Sequence, residues 1–243
     1  MVVRLAAPTD VQAPSARRWA RAERARHVDR PATDQTSSLK DSAREFAARC
    51  HAGQRRESDG APFIEHSLEV ARLLRDAGCS EVVVTAGLLH DVVEDAHVTP
   101  AELRARFGPA VATLVHSVTD HACVGSYRQR KQVLREQVQR AGIDAALLFA
   151  ADKISKVREL PDQISRDRSR FGSTARGLRA REHLERYQQS RLEHYQESLK
   201  MLQRLAPQHP LVSRLADELD DFRRGAIGAG LEGSPERAGL KHG

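Results

Sequence analysis

The chain has 243 residues, which leaves room for one domain with extensions or two small domains and excludes a large multidomain protein. Its net charge of +6 comes from 39 basic and 33 acidic residues, and only six of the basic residues are lysines. Arginine suits phosphate-bearing partners, but so small a charge does not indicate a nucleic-acid-binding protein. A hydrophobic content of 40% allows a core of leucine, valine and alanine, which argues against full disorder.

The sequence predicts a cytoplasmic protein with no membrane partner. Its longest nearly uncharged apolar run, Val82–Leu89, is far shorter than the ~20 residues that cross a bilayer. No apolar stretch typical of a signal peptide follows Met1. The three cysteines, Cys50, Cys79 and Cys123, lack metal-binding spacing, and their odd number argues against a disulfide framework. We expect them to be reduced and structural.

Residues 1–38 are predicted to form a disordered basic arm. Seven arginines and three prolines occur there, with few large apolar residues. An organellar transit peptide has a similar composition, but the acidic residues Asp10, Glu23 and Asp29 argue against one.

Residues 39–160 are predicted to form the core. Ser38 begins the first helix in a pattern similar to a capping box, Pro62 begins the second, and Gly78 ends it. A third helix runs from Glu81 to about Asp95 and is apolar on nearly all sides, so we expect it to be the buried central helix. Three consecutive valines are also typical of a strand, but the length and the caps favour a helix.

The remaining elements are also helical. Thr99 caps a short helix that Gly108 stops, and Pro161 is predicted to end the last core helix. Further core helices are predicted over residues 109–118, 127–141 and 145–160. The rest of the chain is interpreted as a linker at 161–177, C-terminal helices that pack on the core at 178–223, and a disordered tail at 224–243. The sequence therefore predicts an all-α fold.

The segment Leu88–Ala96, LLHDVVEDA, concentrates four ionisable side chains at the end of an apolar helix. His90 and Asp91 are adjacent, and Glu94 and Asp95 each follow one of them by four positions, which is one helical turn. Any one of these residues alone is most simply a surface charge or a structural histidine. Burying all four unpaired is unfavourable, and a divalent cation would compensate.

Two further residues complete a candidate metal site. His66 lies on the inward face of the second helix, and Asp152 interrupts an apolar stretch. Each alone has a structural interpretation, as a capped histidine or as an aspartate paired with Arg158 or Lys156. Together with the His-Asp pair they provide a set of potential ligands from three helices.

With these residues the sequence resembles the HD superfamily of metal-dependent phosphohydrolases. Within that superfamily it is similar to the hydrolase domain of the RelA and SpoT family and to the stand-alone small alarmone hydrolases. The resemblance covers roughly residues 39–160, and 24 positions separate His66 from His90. Six segments occur in family order: HAGQRR at 51–56, GAPFIEHSLEVA at 60–71, LLHDVVEDA at 88–96, FGPAV at 107–111, SVTD at 117–120 and AADKISKVREL at 150–160. The resemblance implies an HD-domain helical bundle with additional C-terminal helices.

The resemblance also implies the roles of the candidate residues. One divalent metal ion, usually Mn²⁺ in the family, would be bound by His66, His90, Asp91 and Asp152. Such a mixed nitrogen and carboxylate set suits Mn(II) or Fe(II) and does not exclude zinc.

Glu94 and Asp95 would position or deprotonate the nucleophile and assist the leaving group. Arg56, or else Arg55, would contact the nucleotide; a solvated loop is the alternative interpretation of this pair.

The sequence departs from the family pattern where the family contacts its nucleotide. Lys156 replaces the usual asparagine, Phe149 a common lysine, Ser67 a proline and Phe63 a tyrosine. The loop at residues 54–60 is one residue longer than usual. The candidate metal and catalytic positions are intact, so the resemblance defines the reaction better than the substrate.

The leading hypothesis is an enzyme that hydrolyses a nucleotide phosphoester or pyrophosphate, namely the 3′-pyrophosphate of guanosine 3′,5′-bis(diphosphate). Another phosphorylated nucleotide such as NADPH is the alternative substrate. A non-catalytic nucleotide-binding regulator is the alternative class, although the intact Glu94 and Asp95 favour an enzyme. Nucleic acid is not expected as a partner because the arginine clusters lack interleaved aromatic residues. Lys156 is the candidate specificity residue, and the sequence does not determine the oligomeric state.

Overall fold

The computed structural model describes residues 38–120, 125–169 and 175–228. These parts of the chain contain no β-strand, only an isolated antiparallel bridge between Arg55 and Pro62, which confirms the predicted all-α fold. The helices are α1 (Leu39–Cys50), α2 (Ile64–Asp76), α3 (Glu81–Leu89), α4 (Val92–Asp95), α5 (Pro100–Val118), α6 (Tyr127–Ala141), α7 (Ile143–Ser169), α8 (Ala175–Leu205) and α9 (Pro210–Gly228). The predicted basic arm before Ser38 lies outside the described residues. No helix in the described ranges has the length and hydropathy needed to span a membrane.

Helices α1, α3 and α5 begin at the residues that their caps predict, whereas α2 begins at Ile64, two positions after the predicted Pro62. The Ser38 hydroxyl accepts a hydrogen bond from the Asp41 amide at 3.3 Å, and the hydroxyls of Ser80 and Thr99 accept equivalent bonds at the start of α3 and α5. Each bond satisfies an amide that a helix leaves without an internal partner in its first turn. In α5, Gly108 adopts φ 83° and ψ 166°, so the predicted stop appears as a break within one helical span.

Helix α3 is the buried centre of the bundle, as its apolar sequence predicts. Gly87 allows it to approach α2 closely, because a Cβ atom there would lie 2.6 Å from Cδ1 of Leu74. The prediction of one helix from Glu81 to about Asp95 was wrong, since α3 ends at Leu89 and the short α4 begins at Val92. At the break, the imidazole of His90 bonds to the Gly87 carbonyl at 2.8 Å.

Helix α7 is longer than predicted. It continues through Pro161 to Ser169, so the prediction of a linker at 161–177 was wrong for the residues that the structure describes there. A proline inside a helix costs about 3 kcal/mol because it removes a hydrogen bond and crowds the preceding turn. Here Leu160 and Ile164 continue the buried face across the proline, and we attribute the continuity of the helix to that packing.

The C-terminal helices α8 and α9 pack on the same hydrophobic core. Leu202, Leu211 and Leu215 are buried in one cluster with Leu148 and Ile154 of α7. Helix α9 extends to Gly228, so the disordered tail predicted from 224 was wrong for its first residues. The predicted tail from residue 229 onwards lies outside the described part of the chain.

Candidate metal centre

Four side chains from three regions of the fold converge at the broken end of α3. His66 comes from α2, His90 and Asp91 from the break itself, and Asp152 from α7, and all four are buried. The two imidazole Nε2 atoms are 3.1 Å apart. Oδ2 of Asp91 lies 3.4 Å from the His66 nitrogen and 3.2 Å from the His90 nitrogen, and Oδ1 of Asp152 lies 3.3 and 3.5 Å from them. The four residues therefore direct their polar atoms towards one point.

The donor set fits a divalent cation. Bonds of about 2.0–2.2 Å to one ion place ligand atoms at right angles about 3 Å apart, close to the separations here. Oδ2 of Asp91 is buried without a hydrogen-bond partner among the described residues, which is unfavourable unless a cation compensates; Oδ1 of Asp152 pairs with the ammonium of Lys156 at 3.0 Å. His66, His90 and Asp152 alone could hold a metal ion, since their ligand atoms lie within 4.8 Å of one another.

The electrostatics of the site favour a positive charge at its centre. Burial disfavours the ionised forms of Asp91 and Asp152, yet the neighbouring cationic groups hold the pKa of each carboxyl well below its usual value. Burial also disfavours a charged His90, but the two carboxylates outweigh it and raise its pKa to about 10. The same negative field would attract a metal cation.

Each imidazole is held through its other nitrogen. Nδ1 of His90 donates to the Gly87 carbonyl, and Nδ1 of His66 lies 2.9 Å from the hydroxyl of Ser155. Histidines that bind metals are usually oriented in this way, by a hydrogen bond at the ring nitrogen that faces away from the metal. Both Nε2 atoms are thereby directed towards the carboxylates.

Glu94 and Asp95 lie one turn beyond the His-Asp pair. Burial, and then repulsion from Asp91, raises the pKa of Glu94 to about 7, and the same two causes raise the pKa of Asp95. Oε1 of Glu94 accepts a hydrogen bond from the Asp120 amide at 2.5 Å. A carboxyl group with a pKa near neutrality is suited to proton transfer at neutral pH.

The structure separates the two candidate arginines. Arg56 pairs with Asp59, and its Nη1 lies 3.5 Å from Oε1 of Glu159. The same Glu159 oxygen is 3.8 Å from Nδ1 of His66. The Glu159 carboxylate therefore connects Arg56 with the metal centre. Arg55 instead donates to the Gly60 carbonyl at 3.2 Å, within the same loop.

Lys156 lies at the edge of the centre. Its ammonium is 3.0 Å from Oδ1 of Asp152 and 3.9 Å from Oδ1 of Asp91, so the pairing with Asp152 that the sequence allowed is present. The alternative pairing of Asp152 with Arg158 was wrong, since Arg158 pairs with Glu69 and Glu218.

Several residues around the centre were not predicted from the sequence. Lys153 is buried, and its ammonium lies 2.5 Å from Oδ2 of Asp152. Its place in an apolar helix, directly after a potential ligand, was the available signal. Ser155 and Glu69 also contact the centre or its neighbours. Each follows a potential ligand by three positions on a helix, which places it on the same face.

The chain is similar to known proteins of one family. The HD domain model matches residues 43–180. The chain is 41% identical over 121 residues to the human guanosine-3′,5′-bis(diphosphate) 3′-pyrophosphohydrolase MESH1, an alignment that covers 49% of this chain and 67% of that protein. It is 34% identical over 120 residues to the guanosine-3′,5′-bis(diphosphate) 3′-pyrophosphohydrolase of Aquifex aeolicus, covering 49% of this chain and 17% of that protein.

Two solved structures share the fold. The metazoan SpoT ortholog described as hydrolysing ppGpp superposes with a TM-score of 0.54 at 25% identity, over 79% of this chain and 98% of that one. The protein lmo0812 of Listeria monocytogenes superposes with a TM-score of 0.51 at 32% identity, over 65% of this chain and 94% of that one. Fold and site together define a metal-dependent phosphohydrolase. More specifically, the chain belongs to the HD domain family, whose model matches more than half of it.

Proposed function

We propose that the protein hydrolyses guanosine 3′,5′-bis(diphosphate), releasing its 3′-pyrophosphate and leaving guanosine 5′-diphosphate. The observation that carries the proposal is the convergence of two imidazole nitrogens and two buried carboxylates beside Glu94, whose pKa is raised to about 7. The names of the similar human and Aquifex aeolicus proteins supply the substrate. Because the alignments span at most about two thirds of those proteins, the substrate is part of the proposal.

One Mn²⁺ ion is the proposed cofactor, held by His66, His90, Asp91 and Asp152. Two imidazole nitrogens and two carboxylates suit a borderline divalent ion. The set contains no thiolate, the type of ligand that favours softer metals. When bound, the ion would polarise a phosphoryl oxygen and make a water molecule more acidic. We also propose a cytoplasmic location, because a nucleotide substrate and the free thiols of Cys50 and Cys79 are consistent with it.

The chemistry of the chain's own residues follows from their positions. Glu94 would accept a proton from the attacking water, because its raised pKa makes it a competent base near neutral pH. The water oxygen would bond to phosphorus as the bond from phosphorus to the ribose 3′-oxygen breaks. Asp95, whose pKa is also raised, would supply a proton to the ribose 3′-oxygen as it leaves. The bond from the Asp120 amide would orient Glu94 through one oxygen and leave the other for the water.

The substrate phosphates would meet positive charge on one side of the centre. Lys156 keeps 35% of its side chain exposed, so its ammonium could contact a phosphate as well as Asp152. Arg56 would grip a phosphate or stack on the base, and Arg55 is the less suitable candidate because its guanidinium bonds within its own loop.

A hydrolysis assay over a nucleotide panel tests the proposal. The purified protein, supplied in turn with Mn²⁺, Mg²⁺ or Zn²⁺, is incubated with guanosine 3′,5′-bis(diphosphate), NADPH and common nucleoside di- and triphosphates. We expect equal amounts of pyrophosphate and guanosine 5′-diphosphate from the first substrate, with Mn²⁺ the most effective ion. The Asp91→Ala variant is the inactive control. Cleavage of NADPH alone would favour the alternative substrate, and nucleotide binding without cleavage would favour a regulator.

A further inference from the structure

A chain of hydrogen bonds connects the C-terminal helix α9 with the metal centre. Nδ1 of His66 lies 2.9 Å from Oγ of Ser155, and that hydroxyl lies 2.7 Å from Oε2 of Glu69. Oε1 of Glu69 accepts from Nη1 of Arg158 at 2.8 Å, and Nε of Arg158 donates to Oε1 of Glu218 at 2.7 Å. The chain therefore begins on α9, crosses α7 and α2, and ends at a potential metal ligand.

The donors and acceptors along this chain allow one arrangement of protons. A carboxylate only accepts hydrogen bonds, so the Ser155 hydroxyl must give its proton to Glu69. The Ser155 oxygen can then only accept from His66, which places a proton on Nδ1; in the neutral ring that binds a metal, this leaves the lone pair on Nε2. Glu159 does not provide an alternative, because its nearest oxygen is 3.8 Å from the same nitrogen.

Glu69 must be ionised for this arrangement to hold, and Arg158 stabilises that form. Arg158 is in turn fixed by Glu218, since one guanidinium contacts both carboxylates. Charge-assisted bonds of this kind are stronger and more directional than neutral ones. Helix α9 is therefore connected with His66 through Arg158, Glu69 and Ser155.

We propose that Ser155, Glu69, Arg158 and Glu218 are positioning residues that hold His66 in the tautomer able to bind the metal. The inference rests on the metal centre proposed above and adds a dependence of metal affinity on α9. His90 has no such dependence among the described contacts, because a backbone carbonyl orients its ring. Loss of hydrogen bonds to a metal-binding histidine typically weakens metal binding by about 10- to 100-fold.

The Ser155→Ala variant tests the step next to His66. Mn²⁺ titration of the metal-free protein by calorimetry should give an affinity about 10- to 100-fold below wild type. NMR of the histidine ring nitrogens, with His66 assigned from a His66→Gln variant, should show the Nδ1–H form in the metal-free wild type. In Ser155→Ala it should show a shift towards the Nε2–H form. Wild-type affinity with an unchanged His66 spectrum would overturn the proposal.

The Glu218→Ala variant tests the far end, with Asp220→Ala as its control on the same helix. Asp220 also pairs with an arginine, Arg223, but away from this chain of bonds. We expect a several-fold loss of Mn²⁺ affinity for Glu218→Ala and none for Asp220→Ala. Equal affinities in the two variants would show that α9 has only a structural role and would overturn its link to the centre.

The Asp91→Ala variant separates the two hypotheses. If it still binds Mn²⁺ like wild type, the metal centre itself is wrong. If it loses Mn²⁺ while Ser155→Ala keeps it, the centre stands and the positioning role is wrong. Thermal unfolding monitored by circular dichroism, together with dispersed NMR spectra, identifies any variant that does not fold. In that case the Glu218→Gln variant, which keeps the shape of the side chain, replaces Glu218→Ala.

Discussion

The ammonium of Lys156 lies 3.0 Å from Oδ1 of Asp152, the oxygen that also faces both imidazoles of the metal centre. A cation at this distance competes with a metal ion for the same carboxylate. An asparagine at this position would offer a neutral amide that both donates and accepts hydrogen bonds. We therefore expect this contact to connect metal affinity with substrate selection.

We expect the Lys156→Asn variant to bind Mn²⁺ several-fold more tightly, because a competing positive charge is removed. It should also change the rank order of nucleotide substrates, since an ammonium attracts phosphate and an amide favours sugar hydroxyls. Metal titration and the nucleotide panel measure the two effects. Lys200→Asn is the control, because Lys200 forms an exposed ion pair with Glu197 on α8. An unchanged rank order would show that Lys156 does not select the substrate.

Metal content tests the four proposed ligands. A single centre predicts one divalent ion per chain in the wild type, and His90→Ala or Asp91→Ala should remove it because each deletes a buried ligand atom. Elemental analysis of the purified proteins makes the measurement. His183→Ala, which changes an exposed histidine on α8, should retain the metal. Wild-type metal content in either ligand variant would contradict the assignment.

Glu94→Gln separates metal binding from catalysis. The amide keeps the shape of the side chain but cannot accept a proton, so the variant should retain its metal and lose turnover by about 10²- to 10⁴-fold. Steady-state hydrolysis together with metal analysis checks both parts. Glu136→Gln on α6, where Glu136 forms an exposed pair with Arg140, is the matched control. Undiminished turnover would transfer the role to Asp95.

Gly87→Val tests the close approach of α2 and α3. A Cβ atom at Gly87 would lie 2.6 Å from the buried side chain of Leu74. Overpacking of this kind costs about 1–3 kcal/mol of the free energy of unfolding. Gly225→Val is the control, because a Cβ atom there meets nothing within 4 Å. Urea unfolding of both variants makes the comparison, and equal stabilities would mean that Leu74 moves aside without cost.

Local sequence signals predicted most helix starts but not every helix end. A serine or threonine cap satisfies amides within its own turn, so Ser38, Ser80 and Thr99 could be identified from their neighbours alone. Pro161 was predicted to end α7 for an equally local reason. Helix α7 nevertheless continues, because Leu160 and Ile164 are buried against distant parts of the chain. Local rules do not include that packing.

The metal centre shows the same division. The His-Asp pair and the carboxylates after it form a recognisable local pattern. His66, on the inward face of its helix, and Asp152, within an apolar stretch, were added from their own surroundings, and the resemblance then implied the roles of all of them. The structure brings the four potential ligands together, while their roles and those of Glu94 and Asp95 stay predictions. The ion pair between Lys153 and Asp152 was missed because the two residues are adjacent, and helical spacing reveals only pairs three or four positions apart.

The sequence by itself determined the helical class, most helix starts and the residues able to bind a metal, because caps, apolar periodicity and donor types are properties of short segments. Only the tertiary structure decided which groups contact His66 and how α9 is connected with it. Ser155 contacts His66 across 89 positions of the chain, and Arg158 contacts Glu218 across 60. Contacts between segments so distant in sequence depend on how the helices pack, and packing is a property of the whole core.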